Sequence, residues 1–202
     1  SSRAGSPKPG NVDGGVIRTL EAAGAILVGK NNLLEYAYGA VHPDFGQTNN
    51  PWNPALTSGG SSGGSAAAVS SGMCYAALGT DTGGSIRIPA SYCGCVGLKP
   101  TFGLVPLDGV QALSWSLDHV GPLARSCADA ALFLEGLTGK PHPVAAPDLK
   151  GMRLGIMQHA GAGQWVQPEV VERFDEAVKI LEKAGAKIER VSIADLALAS
   201  DA

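Results

Sequence analysis

The chain has 202 residues, of which 45% are hydrophobic and 16% charged, with a formal net charge of −3. That composition supports one substantial domain with a buried core and excludes an intrinsically disordered chain. No Lys/Arg cluster offers an electrostatic footprint for nucleic acid, and no run of 18 apolar residues offers a membrane span.

In chain order, Val16 to Ala23 has helical spacing, and "GAILVGK" from Gly24 to Lys30 reads as a buried strand. "NLLEYAYG" (32 to 39) reads as a short helix closed by glycine, and Gly46 to Pro54 as a loop rich in Asn and Pro. Ser65 to Ser71 is a helix candidate because Ala is the best helix former. "MCYAALGTD" then reads as a buried strand ending at the glycine turn Gly83-Gly84. Cys127 to Leu137 is an amphipathic helix, and Pro141 to Pro147 is a Pro-rich connection. "MRLGIM" reads as a strand, Pro168 to Ala184 as a strongly periodic helix, and "AKIERV" as another strand. Alternating strands and helices predict an α/β domain with a mixed sheet covered by helices, taken as a single domain over 1–202.

Cys74, Cys93, Cys95 and Cys127 form no C-x-x-C pair and have small, apolar neighbours. They are expected to be buried free thiols, which fits a reducing, cytoplasmic compartment. The polar opening "SSRAGSPKPG" does not read as a secretory leader. Nothing in the chain calls for a cofactor or a metal.

Two serine segments carry the chemistry. "TSGGSSGGSAAAVSSG" (57 to 72) has a linker's composition, but a helix former and a buried strand follow it, so it belongs inside a packed domain. Gly59-Gly60-Ser61-Ser62-Gly63 fits the G-x-S-x-G spacing of a nucleophile elbow, yet no strand precedes it as an elbow requires. A Ser-His-Asp arrangement would need His119, whose surroundings do not read as a catalytic loop. In "GTDTGGSIRIPA", Ser85 follows a strand, an Asp and two glycines. Two glycines let successive N–H groups converge on one point, the way a backbone oxyanion hole is made. A strand-to-helix turn capped by Ser85 is the plainer alternative for the same residues.

"GGSSGGSAA" followed by "LGTDTGGSIRIPA", with Ser61 and Ser85 24 positions apart, resembles the amidase signature family. "GAILVGKNNLLEYAYG", "GQTNNPWNP", "CGCVGLKPTFGLVP" and "SLDHVGPLARSCADAALFLEGLTG" extend the resemblance over nearly the whole chain. It implies a Ser–cis-Ser–Lys triad. Ser85 matches the nucleophile, Ser61 the bridging serine after a cis peptide bond, and the backbone N–H groups of Thr82, Gly83, Gly84 and Ser85 the oxyanion hole. Ser62, Asp81 and Arg87 match supporting positions. The implied activity is cleavage of linear carboxylic amides, or of esters, through an acyl-serine. The alternatives are an amide-transferring subunit of a tRNA-dependent amidotransferase and a silent scaffold without its base.

The family's lysine lies in a "V-K-D-N"-like segment that these 202 residues do not contain; Lys30 and Lys99 match other family positions. The chain is therefore expected to be an internal part of the family's domain. It is also expected to be a weak catalyst alone, with exposed apolar surface that favours self-association. The expected partner is a small-molecule amide, with no direct nucleic-acid contact and no membrane.

Overall fold

The computed structural model describes residues 12–145, 148–157 and 166–193. They fall into two compact units, Ser1–Val144 and Ala145–Ala202, parted within the Pro-rich connection. His159, one of the four histidines, lies outside the described residues.

The first unit is built on a three-stranded antiparallel sheet of β1 (Ala76–Asp81), β2 (Val96–Gly97) and β3 (His119–Ala124), with β3 in the centre. β1 and β3 pair from Ala76↔Ala124 to Asp81↔His119. Side chains alternate across a strand, so neighbours serve opposite faces. Ala77 joins a core with Ala66, Val69, Ile86, Ala90, Cys93 and Leu123, contributed mainly by α2 (Gly63–Ser70) and α3 (Arg87–Cys93). Leu78 packs against the second core of Val16, Leu20, Val105, Val120, Leu134 and Leu137, built with α1 (Gly15–Ala22) and α4 (Cys127–Thr138). The sheet is thus the middle of three layers.

The Gly/Ser/Ala composition of α2 serves close approach rather than flexibility. The helix is buried along most of its length. Ser65 Oγ donates to the Leu78 carbonyl at 2.7 Å and Ser70 Oγ to the Cys93 carbonyl at 2.8 Å, so its hydroxyls are bonded to neighbouring elements. α4 starts at Ser126, whose Oγ accepts the Asp129 N–H at 3.1 Å, and ends at Gly139 in the left-handed conformation. α3 tolerates Pro89 because it lies in the first turn, where no intrahelical donor is needed.

The second unit pairs β4 (Arg153–Met157) in parallel with β5 (Lys187–Val191), with α5 (Pro168–Lys183) between them in sequence. α5 has the expected periodicity, yet none of its described side chains is buried; Phe174 and Ile180 are exposed. Helices with strands of both pairing senses give the expected α/β class, the antiparallel and parallel ladders lying in separate sheets.

Two predicted elements do not form. Gly24 to Lys30 is not a strand, and Ile26, Leu27 and Val28 are 88%, 56% and 78% exposed. A strand exists only through a paired neighbour, and among the described residues none pairs with this segment. Residues 32–39 are not helical. Tyr36 and Ala37 take positive φ values of 50° and 59°, and a Glu35↔Ala40 bridge closes the turn. β2 and β3 were not foreseen, and α3, which contains a proline, was expected only as the helix of the alternative strand-to-helix turn at Ser85. β3 contains Gly121-Pro122, residues that argue against a central strand. The Pro122 carbonyl nonetheless accepts the Leu98 N–H at 3.0 Å. All four cysteines are free, but only Cys93 is buried; Cys74 and Cys95 are half-buried and Cys127 is exposed.

Candidate active site

The two serine segments meet at the end of β1. β1 stops at Asp81, residues 82–86 turn, and α3 begins at Arg87. Gly84 has φ +142°, a conformation that strains any L side chain, and a Cβ there would stand 2.7 Å from Ile88 Cδ1. Glycine is therefore required at that position. Among the described residues, the N–H groups of Gly83, Gly84 and Ser85 donate to no other part of the chain, so they are available to an external acceptor.

Asp81, the last residue of β1, fastens the far end of this turn. Its carboxylate has no exposed surface. Oδ2 accepts the Ile86 N–H at 3.1 Å, the Arg87 N–H at 3.3 Å and Arg87 Nε at 3.0 Å, while Oδ1 accepts Arg87 Nη2 at 2.9 Å. Burial alone would push the Asp81 carboxyl up; the Arg87 guanidinium and the two amides outweigh it and hold it below its usual value. Asp81 and Arg87 thus hold the turn from behind.

The segment before α2 closes the other side. The Gly60–Ser61 peptide bond is cis, as the family resemblance implies. The Ser62 N–H donates to the Ser85 carbonyl at 3.1 Å, and the Ser61 carbonyl accepts the Leu34 N–H at 3.2 Å. Ser62 is fully buried; its Oγ accepts the Thr80 N–H at 3.1 Å and donates to the Thr80 carbonyl at 3.3 Å. The backbones carrying Ser61 and Ser85 are therefore stitched together. Their hydroxyls are not: among the described residues neither bonds to the other or to a lysine. Ser61 is 4% exposed and lines a narrow cleft with Asn32, Thr48 and Thr57; Ser85 is half-buried.

Among the described residues, none of the alternative bases bonds to either serine hydroxyl. Lys30 is exposed. Lys99 Nζ donates to the Pro100 carbonyl at 2.8 Å and lies 3.1 Å from His119 Nε2. His119 Nδ1 lies 2.7 Å from the Leu117 carbonyl and 3.2 Å from that of Asp81. Carbonyls only accept, so Nδ1 carries the proton and Nε2 accepts from Lys99. Both ring nitrogens are committed, and neither faces a serine hydroxyl. A larger cleft of about 380 Å³, lined by Val96, Leu98, Leu134 and His142, includes neither serine. Among the described residues no cluster of His, Cys, Asp or Glu could hold a metal ion, and no helix is long and apolar enough to cross a membrane.

Sequence reasoning assigned no role to Asp118, which is 6% exposed at the start of β3. It accepts the Thr82 hydroxyl at 2.5 Å, the Leu113 N–H at 2.8 Å and the Ser114 N–H at 3.0 Å. Burial would raise its carboxyl; these donors, Thr82 first, outweigh burial and lower it. The available signal was an acidic residue directly before the apolar run "HVGPLA".

Comparison with known proteins gives a consistent picture. The family model described as Amidase matches residues 1–202. A glutamyl-tRNA(Gln) amidotransferase subunit of Thermosynechococcus vestitus is 51% identical over 193 residues, covering 88% of this chain and 40% of that protein. The crystal structure of the Thermotoga maritima protein of the same name superposes with a TM-score of 0.82 at 43% identity, over 91% of this chain and 44% of that one. Peptide amidase from Stenotrophomonas maltophilia gives 0.81 at 35% identity, over 94% and 43%. The chain spans about 40% of the length of the curated relatives it matches.

Proposed function

The chain belongs to the amidase family, and on that premise we propose that Ser85 is the nucleophile of an acyl-transfer reaction on a carboxamide. The observation that carries the proposal is the turn at 82–85. A serine stands there beside N–H groups that, among the described residues, no other residue uses, and a buried carboxylate fixes the backbone from behind. The Ser85 Oγ attacks the amide carbon, and the tetrahedral oxyanion is received by the N–H groups of Thr82 to Ser85. One such donor is worth roughly 3–4 kcal/mol of barrier.

A serine hydroxyl needs a base at neutral pH. In this reading Ser61 relays the Ser85 proton towards a lysine of the kind the family uses, a role assigned to none of the described lysines. The amine leaves with that proton, and water releases the acid from acyl-Ser85. Ser62, bonded to Thr80 and to the Ser85 carbonyl, keeps the relay in register.

A second reading shares this first half-reaction. Glutamyl-tRNA(Gln) amidotransferases transfer an amide, and relatives of that name reach 51% identity, against 35% for the peptide amidase. In this reading a phosphoryl donor first activates the side-chain carboxyl of a glutamyl group on tRNA(Gln), the ammonia released at Ser85 displaces that phosphate to form the amide, and the chain works beside a partner protein. Exposed Ile26, Tyr75 and Trp115 support association with a partner or a second copy.

A fluorophosphonate probe separates an enzyme from a silent scaffold. Labelling is expected on Ser85 and lost in Ser85→Ala; labelling on Ser61, or none on the full-length protein, refutes the assignment. Transfer requires charged tRNA for product, whereas simple hydrolysis proceeds without it.

A further inference from the structure

We infer that Asp118 is a positioning residue for the oxyanion site, acting on it through the Thr82 hydroxyl. The inference rests on the acyl-serine reading above. Thr82 is the first residue of the turn and the one whose side chain reaches across to β3, donating to Asp118 Oδ1 at 2.5 Å. The same carboxylate gathers the loop before β3. The Leu113 N–H reaches Oδ2 at 2.8 Å, and the Ser114 N–H lies 3.0 Å from both oxygens.

Asp118 therefore joins three backbone segments at one buried point: the start of the turn, the 113–117 loop and the N-terminal end of β3. Asp81 already fixes the far end of the turn through the Ile86 and Arg87 amides. The glycines between, Gly83 and Gly84, supply no side chain to set their own orientation. The direction of their N–H groups is then set by the two anchored ends, one on Asp81 and one on Asp118. This is a division of labour between two buried carboxylates, and neither need touch substrate.

The test is steady-state amide cleavage by the full-length protein and its Thr82→Val, Thr82→Ser, Asp118→Asn and Thr82→Val/Asp118→Asn variants. Misplacing a reacting group by about 1 Å costs on the order of 10²-fold. Thr82→Val and Asp118→Asn are expected to lower kcat by about 10–100-fold with KM nearly unchanged, since the nest acts on the transition state. Thr82→Ser, which restores the donor, is expected to recover most of that loss. The double variant is expected to be no slower than the slower single variant, because both remove one link.

Equal kcat losses for Thr82→Ser and Thr82→Val, or fully multiplied losses in the double variant, would overturn the inference. So would a loss confined to KM. If Asp118→Asn does not fold, the Thr82→Val and Thr82→Ser pair decides alone. Labelling of Ser85 in the parent by a fluorophosphonate separates the two layers: a labelled parent with unaffected variants sinks only the role of Asp118, while an unlabelled parent sinks the acyl-serine reading and this inference with it.

Discussion

Truncating Asp81 to alanine tests how the turn is held. The carboxylate is wholly buried and accepts four hydrogen bonds. Ile86 is buried, so its amide loses its partner without gaining water, a cost of about 1–3 kcal/mol. The Arg87 amide is at an exposed residue and its guanidinium is 53% exposed, so both rehydrate. Their loss falls well short of the roughly 3–5 kcal/mol for breaking a fully buried pair. The sum is about 2–4 kcal/mol, which for a urea m-value of about 2 kcal/mol/M moves the midpoint down by about 1–2 M. Asp81→Asn keeps an acceptor and is expected to lose about half as much. The pH dependence has a definite sign. Burial pushes this carboxyl up, but Arg87 and the amides win and lower it. Its stabilisation is then complete above the unfolded value near pH ~4 and is lost as pH falls through the lower folded value. The gap between parent and Asp81→Ala should stay constant from about pH 8 to 5 and close below about pH 4. A midpoint that does not move, or a gap that widens in acid, would refute this account.

Gly84→Ala places a side chain at φ +142° and 2.7 Å from Ile88 Cδ1; a loss of about 1–3 kcal/mol is expected in urea unfolding, with probe labelling of Ser85 suppressed as well. Iodoacetamide at pH 8 should modify exposed Cys127 first, because burial pushes the Cys93 thiol up to about 11, and mass spectrometry of the peptides reads the order. Leu123→Ala, at a fully buried position between α2 and α3, should cost about 2–5 kcal/mol by the same unfolding assay. The exposed Ile26, Val28, Tyr75 and Trp115 should make the purified chain self-associate; light scattering that shows a monomer at all concentrations would count against it.

The elements legible in the sequence are those whose local chemistry and final environment agree. α4, expected over Cys127 to Leu137, forms over Cys127–Thr138, and its capping Ser126 and closing Gly139 lie within the same segment. β4, α5 and β5 are likewise local patterns realised in place. The serines and glycines of the site were legible because their order along the chain is itself unusual: two glycines after a strand and an Asp, and a second serine-glycine run before a helix. Pairing and anchorage were not legible. "GAILVGK" has every local property of a buried strand, yet strand formation depends on a neighbour that no local pattern names, and the segment is exposed. β3 has the opposite history: Gly121 and Pro122 weaken its local signal, and its position between β1 and β2 makes it the central strand regardless. The link from Thr82 to Asp118 spans 36 positions and the bond from Ser62 to the Ser85 carbonyl spans 23. The sequence by itself determined which hydroxyl and backbone N–H groups the two serine segments offer, because that is a property of residue types. Only the tertiary structure decided which buried carboxylates hold them, because a hydrogen bond between distant residues exists only once folding has removed water from both partners.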